Sequence, residues 1–530
     1  MKALLKLSVL GAALCSFANL ASAQFDGPTP LAWRWLPSSV DYHPVGTPLV
    51  LNNTVYVAAG TRYFALDADT GNEKWKFPRE GAKGTFRYQP IQSGNTIVNV
   101  TDNGYFYSAN IADGSLKWVY QLLPGRKISP LGQPVAVGSL IVFKQSDDSL
   151  NAIYAESGQP AWPQTFHVDT GFNGPLIVHG DDVIFANNDN EMYSLSAASM
   201  KLNWQRKFGF LPPGLLPTLY GDNLYLYSGN YLACVNTARG TGRWQVNLNQ
   251  SMEFGPAVSP DGIMCTTDDG HLYFFDLMGH RALREVVDLG SGPSATPSAL
   301  GTKFLVPTNN GALNLIDPKT GGILWSFVVR PITSDPNDKK VGGPTTSNLY
   351  TIDPRILTVP ASGPALLNGD TMMILCYDAS LLAFNSRIGV DLTPPDIDML
   401  FPTPGMQLAG TPPLDLLFKV NDEATGINIK TLKIDVDGTP LEFTIGRDGV
   451  AQVHFSYEGK NQPLMDGRRI FTITISDWIG NTNKKSFALN IDNTLPPIAV
   501  PADLKGAGSG GKGKGAGGGG GGGGAGGGIG

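Results

Sequence analysis

The chain has 530 residues, a net charge of −6 and only 16% charged residues. That length exceeds one ordinary domain, the low charge content excludes coiled coils and long solvent-facing helices, and an acidic chain without basic clusters excludes nucleic-acid binding. Frequent Gly (65) and Pro (39) instead predict many short strands joined by turns.

Residues 1–23 read as a secretory signal peptide: Lys2 and Lys6 form the positive end, Leu7 to Phe17 the apolar stretch, and Ala21-Ser22-Ala23 the cleavage site. The mature chain then starts at Gln24. Cys15 lies in this leader, but Leu14 stands where a lipid-attachment signal wants a small residue. No later segment is apolar for long enough to span a membrane. Cys234, Cys265 and Cys376 remain, an odd number set in apolar strand-like stretches, so they read as buried small hydrophobes; a Cys234–Cys265 bridge is the alternative.

From residue 31 onward one pattern recurs: an apolar strand, a Gly-containing turn, then Trp. It ends at Trp75, Trp118, Trp162, Trp204, Trp244 and Trp325, with Arg284 standing where one Trp is expected. The steps are 43, 44, 42, 40, 40 and 41 residues. A second marker keeps the same register: Pro48, Pro90, Pro134, Pro175, Pro217, Pro256 and Pro297 each precede their Trp, or Arg284, by 27 to 29 residues, and Pro364 opens an eighth unit. A period near 40 with four short strands per unit predicts propeller blades. The eighth unit lacks its Trp strand, and Leu31–Trp35 at the other end supplies one, with Trp35 as its Trp. The expected fold is therefore all-β: an eight-bladed propeller over residues 24–391, closed by its N-terminal strand, with seven blades as the alternative. The Trp residues are expected to plug the gaps between blades.

The turn, best kept as ALDADTGNEKW (ending at Trp75) and LIDPKTGGILW (ending at Trp325), resembles the PQQ-type propeller repeat over Leu31 to Gly389. That family includes quinoprotein dehydrogenases and the BamB-type outer-membrane assembly factors. The resemblance implies the propeller, and either a partner-binding scaffold or a quinone-dependent oxidoreductase. The quinoprotein members usually carry an adjacent Cys-Cys pair beside the cofactor, which this chain lacks, so no cofactor is expected.

After Thr393-Pro394-Pro395 the pattern changes. Residues 392–495 alternate apolar and polar positions in short runs with DG and GN turns, which predicts a β-sandwich resembling a bacterial Ig-like module. Asp422, Glu423, Asp435, Asp437 and Asp477 are candidate Ca²⁺ ligands, although Asp in such turns more often serves the turn itself. Residues 496–530 end in a Gly run and are expected to be a disordered tail.

No HExxH, GxSxG or phosphate-loop motif is present, and the six His are scattered. No catalytic, cofactor or metal residue is assigned. Geometry points to loops instead. In a four-stranded blade the B–C turns and D–A connections share one face. The longest connection runs 39 residues from Trp325 to Pro364, against 12 to 16 elsewhere. Its insert, about Pro331 to Gly363, is expected over the channel mouth. The expected partner-binding face gathers Arg87, Tyr88, Arg126, Lys127, Phe172, Asn173, Glu253, Phe254, Lys339, Lys340, Tyr350 and Arg355. The function so read is a non-catalytic, exported scaffold that binds protein partners in the envelope or outside the cell. An oxidoreductase or a surface adhesin or sensor is the alternative.

Overall fold

A computed structural model describes residues 25–37, 47–122, 131–209, 216–228, 230–331, 356–385, 387, 390–446 and 448–504. The expected leader therefore lies outside the described residues. The described chain is all-β, with a 3-10 turn at Ala502–Leu504.

Eight four-stranded sheets come first. In the first seven, strands A to D pair antiparallel in chain order, from Leu49–Leu51, Thr54–Ala59, Arg62–Asp67 and Glu73–Phe77 in blade 1 to Ser298–Leu300, Lys303–Pro307, Ala312–Ile316 and Ile323–Val328 in blade 7. Blade 8 joins Leu366–Asn368, Thr371–Leu375 and Leu381–Asn385 to the N-terminal strand Leu31–Trp35. Arg34 stands opposite Leu382, and Trp35 opposite Leu381. Strands B and C are apolar runs buried on both faces, as in Thr54–Ala59, whereas strand D is more exposed in several blades, as at Glu73, Lys74 and Lys76 in Glu73–Phe77. Pro48, Pro90, Pro134, Pro256 and Pro297 stand immediately before strand A, and Pro175 and Pro217 lie within it. Strand A is a sheet edge, where a missing N–H costs no ladder bond.

Eight apolar clusters each join two neighbouring blades. One of them packs Met373, Leu375 and Leu381 of blade 8 against Val55, Val57 and Phe64 of blade 1. That contact closes the ring and leaves no open sheet flank. Between blades, five Trp indole N–H groups donate to a carbonyl in the next C–D turn: Trp75 to Ile111, Trp118 to Ala155, Trp162 to Ala197, Trp204 to Thr237 and Trp244 to Leu277, all within 3.2 Å. In four of these seams a turn glycine lies beneath the ring, and in the turn docked by Trp162 that position is Met200, also at positive φ. At Gly114 and Gly240 φ is positive, and a Cβ would come within 2.6 Å of the Trp75 or Trp204 ring.

One expectation is corrected here. At the N-terminal strand the docking Trp is Trp33, not Trp35. Trp33 donates to the Ala68 carbonyl at 3.1 Å and covers Gly71. Side chains alternate along a strand, so residue 35 shares its face, but the docking position lies nearer the strand's start. Trp35 sits further along, buried edge-to-face on Phe64. Where Arg284 replaces Trp, the arginine is exposed, and Leu283 and Val287 cover Gly321 instead.

Beyond the ring, two sheets face each other. One orders Asp396–Phe401, Leu414–Asn421, Val450–Phe455 and Thr444–Ile445; the other Gln407–Leu408, Thr482–Ile491, Gly467–Asp477, Ile427–Val436 and Thr439–Pro440. Leu416, Phe418, Val453 and Phe455 of the first meet Ile434, Phe471, Ile473 and Leu489 of the second. The expected tail is corrected at its start: Ile498, Val500 and the buried Leu504 pack on Leu400, Phe401, Leu417 and Val450. Three apolar side chains between residues 496 and 504 outweigh the local proline content; residues 505–530 lie outside the described residues.

Candidate functional site: the loop face and the acidic junction

The loop face is built from the ends of strands B and D. Arg87, ahead of blade 2, is exposed and pairs with Asp102 in that blade's B–C turn at 3.4 Å. Tyr88 reaches to the next blade, where its hydroxyl accepts the Gly132 N–H at 3.3 Å. Burial raises its pKa, and hydrogen bonding from Gly132 offsets this in part. Phe172 stands edge-to-face on Phe185 and lies under the Lys144 ammonium, 5.5 Å from the ring centroid. Glu253 is exposed and Phe254 partly covered. Asn173, expected on the face, is 4% exposed, because the bulged strand that carries it turns the side chain inward. Arg126, Lys127, Lys339, Lys340, Tyr350 and Arg355 lie outside the described residues.

Two residues of this region escaped sequence reasoning. Tyr377, in the B–C turn of blade 8, is 42% exposed, and burial followed by the Glu253 charge raises its pKa. Glu253 and Tyr377 thus share the face across two blades. Lys144 ends an apolar strand and is 8% exposed; it donates to the Gly174 carbonyl at 2.6 Å. Burial pushes its pKa down to about 8. It anchors the Phe172–Gly174 entry to blade 4 from below.

The insert between blades 7 and 8 is rooted against the sandwich. Before it, Arg330 donates to the Asn421 side chain at 2.8 Å and to the Asp448 carbonyl at 2.9 Å; in its last part, Ile356 packs on the sandwich's outer cluster. Residues 332–355, expected over the channel mouth, lie outside the described residues.

At the junction, Asp391 from the linker, Asp422 from the turn after Leu414–Asn421 and Asp477 from the end of Gly467–Asp477 come together. They are 6%, 6% and 1% exposed, and one oxygen from each lies within 4.8 Å of the others. Asp422 Oδ1 accepts the N–H groups of Ala424, Thr425 and Gly426, and Asp477 Oδ1 accepts those of Ile479, Gly480 and Asn481. Thr425 Oγ1 donates to Asp391 at 2.8 Å. Burial raises the Asp422 pKa, and the neighbouring Asp391 and Asp477 charges raise it further against the two backbone hydrogen bonds that lower it. At Asp391 the hydrogen bonds from Thr393 and Thr425 outweigh burial and lower the pKa. Three oxygens facing one point have the chemistry a hard cation takes, but number half or fewer of the six to eight that Ca²⁺ usually gathers. Of the acids the sequence singled out, Asp435 and Asp437 are not here: Asp435 accepts the Gly438 N–H, and Asp437 pairs with Arg469. Asp391 had no acidic neighbour in the chain to signal it.

The residues present do not fit a quinone held by an adjacent cysteine pair. Cys234, Cys265 and Cys376 are unpaired and buried in three different blades, the first two on strands and Cys376 just after one, and burial raises each thiol's pKa.

A ring of four-stranded blades with Trp-plugged seams defines a β-propeller of the PQQ-like class. The chain belongs to the family described as outer membrane protein assembly factor BamB, whose model matches residues 32–228 and 211–337. BamB of Shewanella oneidensis is 23% identical over 269 residues, covering 48% of this chain and 65% of the relative. Tetrathionate hydrolase of Acidithiobacillus ferrooxidans is 23% identical over 221 residues, covering 37% of this chain and 44% of the relative. The chain thus spans less than two thirds of the length of these two curated relatives. The crystal structure of BamB from Moraxella catarrhalis superposes with a TM-score of 0.50 at 14% identity, over 67% of this chain and 99% of that one, and shares its fold.

Proposed function

We propose that this protein is an exported, non-catalytic scaffold of the cell envelope that binds protein partners through its B–C and D–A loop face, in outer-membrane protein assembly. Family membership across the propeller carries this reading. The leader supports export, and among the described residues no helix is long and apolar enough to cross a membrane. A rigid ring that fixes Arg87, Glu253 and Tyr377 on one side suits recognition by loops on a scaffold. The sandwich over residues 392–495 serves as a spacer at the rim.

Site-specific photocrosslinking in intact envelopes tests this. A crosslinker at Glu253 or Tyr377 is expected to capture components of the outer-membrane assembly machinery, and one at Asp113, in a C–D turn on the opposite face, is not. Equal capture from both faces, or none from either, overturns it. The similarity to tetrathionate hydrolase supports a second reading, an enzyme, for which turnover of tetrathionate by the purified chain is the assay.

A further inference from the structure

Blade 8 has no C–D turn of its own. Its strand C, Leu381–Asn385, leads out to the sandwich, while its strand D comes from the N-terminal end. Trp325 of blade 7 therefore lacks the turn carbonyl that every other docking Trp finds in the next blade. The sandwich provides one. Asp422-Glu423-Ala424-Thr425-Gly426 repeats the Asp-x-x-Thr-Gly spacing of Asp67–Gly71 and Asp317–Gly321 in the blades themselves. The Asp caps both turns, Asp67 Oδ1 accepting the N–H groups of Asp69 and Thr70 and Asp422 Oδ1 those of Ala424, Thr425 and Gly426, while the docked carbonyl differs: Trp33 bonds Ala68, next to its Asp, and Trp325 bonds Thr425, three residues after. Gly426 has φ of +82°, and a Cβ there would meet the Ser326 carbonyl at 2.6 Å.

This turn touches both sides of the seam. Trp325 donates its indole N–H to the Thr425 carbonyl at 2.8 Å, and the Leu31 backbone N–H donates to the Ala424 carbonyl at 2.8 Å. Trp478 donates in return to the Ser326 carbonyl at 2.9 Å, and Asn481 to the Asp391 carbonyl at 3.1 Å. We infer that the sandwich acts as a latch: its Asp422–Gly426 turn stands in for the missing blade turn and locks the N-terminal strand into the ring, so that release of the sandwich opens the propeller between blades 7 and 8.

Hydrogen exchange on the full chain tests this with Trp325→Phe, which keeps the apolar plug and removes the N–H, and with Gly426→Val, which displaces the turn. Loss of one or two hydrogen bonds predicts about tenfold faster exchange at Leu31–Trp35 and Leu381–Asn385. Thr54–Ala59 in blade 1 should stay as protected as before. Unchanged exchange at Leu31–Trp35 in both variants overturns the inference, as does equal acceleration in every blade. Val450–Phe455 reports on the sandwich itself. If Gly426→Val unfolds the sandwich, exposure of Leu31–Trp35 alongside it supports the latch, and continued protection of that strand overturns it.

Discussion

Arg34 and Asp378, 344 residues apart, meet at 3.0 Å across the closing seam of the ring, with side chains 15% and 20% exposed. The same guanidinium donates to Ser380 Oγ and to the Arg330 carbonyl, so one side chain ties the N-terminal strand to blade 8 and to the exit of blade 7. Removing a partner from a largely covered pair leaves the other charge unanswered. Arg34→Ala is expected to lower unfolding stability by about 2 kcal/mol, read from urea titration of tryptophan fluorescence. Arg34→Ala combined with Asp378→Ala should lose less than the sum of the two single changes.

The turn glycines divide by what lies above them. Gly240 has φ of +62°, and a Cβ there would lie 2.4 Å from the Trp204 ring; Gly94 has φ of +55° with nothing within 4 Å. Gly240→Ala therefore combines backbone strain with overpacking, about 2–4 kcal/mol, while Gly94→Ala carries only the strain, about 1 kcal/mol. Thermal unfolding of the two variants side by side checks the difference.

Lys144 gives the stability a dependence on alkaline pH. Its folded pKa of about 8 lies below the usual lysine value. The unfolded chain therefore holds more protons between pH 8 and about 10.4, and stability rises with pH through that window. Lys144→Met, which keeps the stem over Phe172 and discards the buried charge, should flatten the rise and add about 1 kcal/mol at pH 7 after the lost hydrogen bond to Gly174 is counted. Stability measured from pH 7 to 10.5 in both proteins decides it; a rise that persists in the variant assigns it to another group.

The acidic junction has the opposite sign. The raised pKa of Asp422 means that the folded state takes up a proton more readily than the unfolded chain. This group's contribution to stability therefore improves as pH falls through that raised value towards the usual carboxylate range. Asp422→Asn keeps an oxygen for the Ala424, Thr425 and Gly426 N–H groups and removes one of three facing charges. Its melting temperature at pH 7 should exceed that of the parent by a few degrees, on the scale of about 1 kcal/mol, and the advantage should shrink in acid. A lower melting temperature would show that the charge is needed at the junction.

The propeller was legible because its physical constraint repeats: most seams dock a Trp over a tight positive-φ turn, so a spacing of 40 to 44 residues recurs from Trp75 to Trp325. Where the constraint is local, sequence spacing alone misleads. Trp33 and Trp35 are both tryptophans on one strand face, and only the docked turn around Ala68 and Gly71 separates them. Asp422 through Gly426 read as a module turn because its partner, Trp325, is 100 residues away. Asp391 and Lys144 were invisible for the same reason: one sits in a linker and the other ends an apolar strand, and each acquires its character from residues that only folding brings near. On the loop face, Arg87, Glu253 and Phe254 were readable from connection lengths, whereas Tyr377 was hidden in a short turn with no distinguishing pattern.

The pairing of Leu31–Trp35 with Leu381–Asn385 also sets an order of events during synthesis. The first strand to emerge waits for a partner made about 350 residues later, and until then its indoles and backbone amides have no place in any sheet. Blades 1 to 7 can each form from neighbouring segments, but the circle stays cut until the eighth arrives. Chains halted midway would present two unpaired flanks, one at each end of an arc, and such flanks invite pairing with other chains. Timely arrival of the C-terminal half is therefore a condition for solubility as well as for shape.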